Sequence, residues 1–477
     1  MAILCFASLA YGQDEPSLKI YSGLRDTVTT SETTLVAVTQ PGATATVNGN
    51  PVHVYKTGSF GTKIQLVPGD NEVVVEASID GHTNTLRRNV FYHTGEGKAT
   101  DAKATLDQTY FFTNPLYVKT TPGAYLQYGN GDDRLGGSKM GFLDTDIPLK
   151  VIGQSGSLYC VRLASNRIAY IPKSYTAPAS EVPTVVNTGS WSVINTGKSD
   201  KVVVSLPCRL PYQYSTSINP QTITIDLFGA TDNSNWITQR SAVLGIIDFV
   251  DFEQVSDDVY RVYLRLKDKY QWGYSVSYEG NNLVIDVRHR PESLNLRDLT
   301  IGLDAGHGGE FPGAISPSGV KEKDVNLDIV LRIRELLEKK GAKVVLTRDS
   351  DTGPSMTDRK NTWREANVDI AISVHNNSGG SPLSSPGTSV LYKHLSNRPL
   401  GQAVLNRLLE TGLPLFGLVE NFNFSLNAPI EYPNVLVEGM FMSSLEEEEK
   451  VADPQFRQIV AEKIVAAIED YLKAAKN

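Results

Sequence analysis

A change of pattern near residue 298 is the feature that most constrains this chain. Before it, short β-type runs follow one another through turns; after it, strands alternate with amphipathic helices. At 477 residues the chain also exceeds what one hydrophobic core organises. The expected architecture is multidomain: a C-terminal α/β domain over 298–477, with a mostly parallel mixed sheet and flanking helices, preceded by three small all-β domains. Within 298–477, Leu299–Leu303, Ala342–Thr347, Val368–Val374 and Asn434–Glu438 read as strands. Val325, Ile329, Ile333, Leu336 and Leu337 share one helical face, which predicts a helix over 325–340 stopped by Gly341. Further helices are expected over 399–410 and 454–473.

The upstream region divides into three stretches. Over 17–93, the run Ala43–Val47 meets Asn48-Gly49 and then Val52–Tyr55, a hairpin signal because both turn residues tolerate positive φ. This stretch resembles bacterial immunoglobulin-like repeats. Over 105–178, short strands such as Leu149–Ile152 and Ile168–Pro172 resemble a bacterial Src-homology-three-like barrel. Residues 177–188, rich in Pro and Thr, suit an exposed linker. Over 190–290, Lys201–Leu206, Thr222–Phe228, Val259–Arg265 and Asn282–Val287 alternate as in a two-layer sandwich. From its place before the last domain, this stretch resembles the AMIN-type domain of cell-wall amidases.

Charge excludes one broad class of function. Lys plus Arg number 45 against 53 Asp plus Glu, a formal balance of −8, which argues against a general nucleic-acid binder. Residues 1–12 read as the remnant of a secretory signal, with Ala10 and Gly12 placed as at a cleavage site before Gln13, although the usual basic leader is missing. No later stretch approaches the length of a transmembrane span. Cys160 and Cys208 are read as small buried apolar residues, not as a disulfide framework.

In an open α/β sheet, ligands gather beyond the carboxyl ends of the strands. Asp304-Ala-Gly-His307-Gly-Gly309 follows the first strand, and Lys321–Asp324 stands just before the first helix. His375 and Glu438 end two other strands. Two imidazoles and a carboxylate can hold zinc and leave a fourth position open for water. Each residue alone has a plainer reading: His307 as a loop cap, Glu322 as a helix-dipole partner, His375 as a hydrogen-bonded core residue. Glu438 is delivered by the apolar run Val435–Val437 toward a place where an unpaired carboxylate is costly. Taken together, the plain readings require four coincidences.

With Asp304–Gly309, the stretches Glu322–Leu327, Val345-Leu-Thr-Arg-Asp349, Ser373-Val-His-Asn-Asn377 and Val435–Glu438 complete a series. In that order they resemble the zinc-dependent N-acetylmuramoyl-L-alanine amidases of bacterial cell walls, over residues 299–473. The resemblance implies one zinc ion held by His307, Glu322 and His375, with Glu438 as catalytic acid/base. It implies peptidoglycan as partner, and as substrate the amide between N-acetylmuramic acid and the first L-alanine of the stem peptide. It further implies an exported protein of the periplasm or cell envelope, with regulatory protein partners left open. Asp304 is expected either to orient a ligand or to shape the turn. An inactive wall-binding scaffold and a zinc peptidase acting within the stem are the competing readings.

Three residues depart from the family pattern. Asn376 replaces Ala, Met440 replaces Gly and Ser444 replaces Asn. Because Met avoids positive φ, the loop after Glu438 is expected to take a different path. The segment Asn421–Ala428 is expected to line the cleft. No extra helical insertion that would block the metal is read between His375 and Glu438. The upstream β domains remain able to gate access.

Overall fold

The computed structural model describes residues 15–94, 108–131, 137–181 and 185–476. The leader read over 1–12 lies outside the described residues. From Leu18 to Tyr92 a three-stranded and a five-stranded sheet face each other over a core that includes Leu35, Phe60, Val73, Val75 and Val90. Its Asn48-Gly49 turn has φ of 49° and 76° and joins Thr44–Val47 to Asn50–Val52 as a hairpin.

Tyr110–Pro178 forms a single seven-stranded sheet in which the first strand, Tyr110–Thr120, pairs with both Pro148–Ser155 and Thr176–Pro178. Trp191–Arg288 builds a five-stranded and a four-stranded sheet. These two stretches share one continuous apolar core, with Leu126, Met140 and Leu149 in the same cluster as Tyr212, Ile225 and Ile285. They are therefore packed together, where separate small domains were expected. The expected linker is correspondingly shorter. Thr176–Pro178 belongs to the first sheet, and Val186–Asn187 pairs in parallel with Ala230–Thr231.

In the C-terminal domain the strands are β1 (Thr300–Ala305), β2 (Lys343–Leu346), β3 (Ile370–Asn377), β4 (Thr388–Leu391), β5 (Leu415–Val419) and β6 (Asn434–Phe441). The helices are α1 (Glu322–Lys339), α2 (Met356–Glu365), α3 (Arg398–Leu409), α4 (Leu445–Ala452) and α5 (Pro454–Lys476). The sheet order is β2-β1-β3-β6-β4-β5, parallel except that β4 runs against β6. Alternation sorts the two faces. Ile301, Leu303, Ile370, Ile372, Val374, Val435 and Val437 pack with α1, α3 and α5, while Ala371 packs with Trp363 of α2, Leu426 and Tyr432. Both faces are thus covered, which is why the central strands read as continuous apolar runs.

Glu322 is the first residue of α1, which begins three residues earlier than the sequence suggests, so Glu322 lies in the helix and not before it. The helix ends at Gly341, φ 86°, where the N–H groups of Gly341 and Ala342 return to the carbonyls of Glu338 and Leu337. Two helices escaped the sequence reading. α2 is mostly polar and starts in a capping box between Ser355 and Asp358. α4 is an acidic run whose N-cap, Ser444, accepts from the N–H of Glu447. Among the described residues, no helix is long and apolar enough to cross a membrane. Cys160 is buried, Cys208 is half-buried and both are free.

Candidate metal centre

β1 ends in a Gly-rich turn that carries His307 at a positive φ of 62°, a conformation uncommon outside glycine, which the surroundings hold in place. Two buried arginines do so. Arg348 donates to the carbonyls of Ala305 and Gly306, at 2.8 and 3.0 Å, and also to Lys323 O. Arg359 donates to Ala305 O at 2.9 Å and to His307 O at 2.7 Å. Lys323 spans the turn from the other side, bonding Gly309 O and Asp351, while Asp351 accepts from the N–H of Gly309. Side chains at Gly306 and Gly313 would strike the His375 ring and the Glu322 carboxylate, so glycine is required at both.

The three residues assigned to the metal meet. Their ligand atoms lie within 4.8 Å of one another. Glu322 bridges the pair, its Oε2 3.1 Å from His307 Nε2 and its Oε1 3.1 Å from His375 Nδ1. Ligands about 2.0–2.1 Å from a tetrahedral ion stand about 3.3 Å apart, so this donor set fits a small divalent cation with minor spreading. Glu322 is held by further donors: the N–H groups of Ala314 and Asn376, and Asn326 Nδ2. Glu438 is buried and lies opposite His375 in the register of β3 and β6.

Charge within the cluster is strongly coupled. Burial pushes the Glu322 carboxyl up, but hydrogen bonds and charge from both imidazoles outweigh it and hold the group far below the usual carboxylate range. Burial pulls His375 down, yet Glu322, Glu438 and Asp304 together raise it above its ordinary 6.5. The carboxylate contributes stability that is present above 4.5 and lost as pH falls through its depressed value. The raised His375 contributes stability that is present below 6.5 and lost as pH rises through its folded value. Metal-free protein is therefore expected to be less stable toward urea at pH 8 than at pH 5.5 on account of this pair. Denaturation curves with a chelator present check it, and His375→Asn should flatten the trend.

Asp304 does not touch either imidazole nitrogen. Its carboxylate, 1% exposed, pairs with Arg359 at 2.6 Å and accepts from Ser373 and Thr347. Burial raises its pKa, and Arg359, His375 and the two hydroxyls more than offset this. Asp304 thus acts on His307 indirectly, by holding the guanidinium that holds the His307 carbonyl. Arg359 was not singled out in the sequence, although the capping box just before it marks the helix that delivers it. Arg348 stood inside a quoted stretch without a role.

The departures have structural reasons. Met440 does not divert the chain: it is a buried β6 residue in the core, and its N–H donates to Asn376 Oδ1. Asn376 also binds Asn326 through Nδ2, so the three-way link from β6 through Asn376 to α1 steadies Glu322. Ser444 serves as the cap of α4. Within 421–428, Phe424 stacks over His375 with centroids 6.4 Å apart and planes 18° from parallel. α3, the helix between His375 and Glu438, packs against α5.

Both outer β stretches grip segments that rim the centre. Tyr21 donates to Ile315 O, and Glu448 of α4 accepts from Ser318 N–H and from Thr57, while Lys56 pairs with Glu449 at 3.0 Å. On the other side, Asn423 binds Gly137 O and the N–H of Lys139.

Residues 301–470 match the N-acetylmuramoyl-L-alanine amidase family. The chain is 32% identical over 221 residues to the N-acetylmuramoyl-L-alanine amidase AmiC of Escherichia coli, covering 37% of this chain and 53% of the relative. It is 31% identical over 192 residues to the probable cell wall amidase LytH of Staphylococcus saprophyticus, covering 40% of this chain and 64% of that one. The chain thus spans between about half and two thirds of the length of these relatives. Among solved structures, the amidase AmiC2 of Nostoc punctiforme is 31% identical, covering 37% of this chain and 97% of that one with a TM-score of 0.35. The stretch from residue 301 to residue 470 is a domain of the N-acetylmuramoyl-L-alanine amidase family.

Proposed function

We propose that this protein hydrolyses the amide between N-acetylmuramic acid and L-alanine of the peptidoglycan stem peptide. The observation that carries the reading is the convergence of His307, Glu322 and His375 within 4.8 Å, with Glu438 facing His375 across β3 and β6. The relatives' names, N-acetylmuramoyl-L-alanine amidase and probable cell wall amidase, point the same way. The first three residues would hold one zinc ion. When bound, zinc lowers the pKa of a coordinated water toward about 7 and polarises the substrate carbonyl.

The chain's own residues supply the remaining work. Glu438 accepts a proton from the attacking water and returns it to the departing alanine nitrogen. Buried beside the cluster and delivered by a rigid central strand, it is a positioned base, and such proton transfer is worth about 10²- to 10⁴-fold. Arg359 keeps the His307 carbonyl in place during turnover, Arg348 the carbonyls of Ala305 and Gly306 just before it, and Asn376 the Glu322 carboxylate. Phe424 covers one face of His375 and keeps bulk water from it.

By the same reading the protein is exported to the periplasm or cell envelope. The three upstream β stretches then serve as immunoglobulin-like, Src-homology-three-like and AMIN-like modules that present the catalytic domain to the wall. A digest of purified sacculi tests the proposal. Release of intact stem peptides is expected; shortened peptides would assign the chain as a peptidase, and an unchanged wall as a scaffold.

A further inference from the structure

Glutamate is almost never fully buried unless something specific engages it. Glu448 of α4 is wholly buried, and the partners of its side chain come from two different domains. Its Oε1 accepts from the Ser318 N–H at 2.7 Å, and its Oε2 accepts from the Thr57 hydroxyl at 3.3 Å. Thr57 belongs to the module that runs from Leu18 to Tyr92, and Ser318 to the loop that leads into α1. The same module reaches this loop a second time, where the Tyr21 hydroxyl donates to Ile315 O at 3.0 Å. Module and catalytic domain are also close-packed, since a side chain at Gly61 would crowd Leu445 and Leu383.

The loop is stiff enough to carry a displacement from one end to the other. It doubles back on itself: Ile315 bridges to Lys321, and the Ser316 N–H donates to Val320 O while its hydroxyl accepts from the Val320 N–H. At the base, the Glu322 N–H donates to Ala314 O, and the Ala314 N–H donates to Glu322 Oε2 at 2.8 Å. That oxygen is the one facing His307 Nε2. The two carboxylate oxygens are thus held differently. Oε1 accepts from the Asn376 N–H of β3 and from Asn326 Nδ2 of α1. Apart from His307, Oε2 has only the Ala314 N–H among the described residues.

We propose that the module running from Leu18 to Tyr92 is a working part of the metal centre, and that Glu448 is the positioning residue joining the two. Glu448 and Tyr21 pin the loop at Ser318 and Ile315, the loop fixes Ala314, and Ala314 orients the Glu322 oxygen that turns toward His307. Partners that orient a metal ligand govern affinity nearly as much as the ligand does. The inference rests on the reading of His307, Glu322 and His375 as metal ligands. It gives the module a role beyond presenting the domain to the wall, because here the module acts without binding any ligand itself.

The test uses the full-length chain and takes two readings. One is zinc affinity by chelator competition; the other is amide hydrogen exchange over residues 312–321 in the metal-free protein. Glu448→Ala should weaken zinc binding by about tenfold and speed exchange in this loop. Glu448→Gln keeps an acceptor for the Ser318 N–H and should hold both readings at wild-type values. If Glu448→Ala fails to fold, the double variant Tyr21→Phe/Thr57→Val makes the same test from the module's surface and leaves α4 intact. Lys56→Ala removes a surface ion pair with Glu449 but no contact to the loop, and should change neither reading. Wild-type affinity and exchange in both Glu448→Ala and the double variant overturn the proposal. An equal loss in Glu448→Gln or in Lys56→Ala overturns it too. Should the wild type take up no zinc while Glu448→Ala still speeds exchange in the loop, only the ligand assignment falls. Zinc uptake that none of the variants alters removes only the module's role.

Discussion

Glu438→Gln is expected to keep its metal and lose nearly all turnover, a drop of about 10²- to 10⁴-fold in kcat. Gln preserves the shape and burial of the side chain in β6, opposite His375, but cannot accept the proton of the attacking water. Metal content by elemental analysis, alongside release of stem peptides from sacculi, separates the two effects. Retained turnover would remove Glu438 from the role of base. His307→Ala or His375→Ala should behave differently, lowering the metal content itself, because each deletes one donor from a cluster only 4.8 Å across.

Arg359→Met is the second large effect, and it acts through structure. Arg359 and Asp304 are 2% and 1% exposed and lie 2.6 Å apart. Removing the guanidinium leaves a carboxylate uncompensated in the interior and releases the His307 carbonyl. Breaking such a buried pair costs about 3–5 kcal/mol. For a domain of this size that lowers Tm by about 6–20 °C. Metal affinity should fall as well, since the turn carrying His307 at positive φ loses one of its two clamps. The double variant Arg359→Met/Asp304→Leu should recover part of the stability, because no charge is then stranded, without recovering the metal affinity. Calorimetry and chelator competition measure the two quantities. An unchanged melting temperature in Arg359→Met would show that the pair is not part of the domain's support.

How much could be read in advance depended on distance along the chain. The helix over α1 was legible because its apolar residues recur at helical spacing and Gly341 marks its stop. The central strands were legible because burial on both faces makes them unbroken apolar runs. α2 and α4 were not, since short polar helices have little periodicity to betray them. The reading of Met440 failed for a related reason. A residue type was judged against a loop, whereas β6 continues straight through to Phe441 and needs no positive φ there.

What the sequence determined by itself is local: the alternation of strand and helix, the turn glycines, and the chemistry of His307, Glu322, His375 and Glu438. Only the tertiary structure decided that Arg359 clamps His307 across 52 residues, that Asn376 ties β6 to α1, and that Asn423 meets Gly137 across 286. Periodicity and turn preference are written into neighbouring residues. A buried charge or a shared core finds its partner only when distant segments pack, and no spacing along the chain encodes which segments those are.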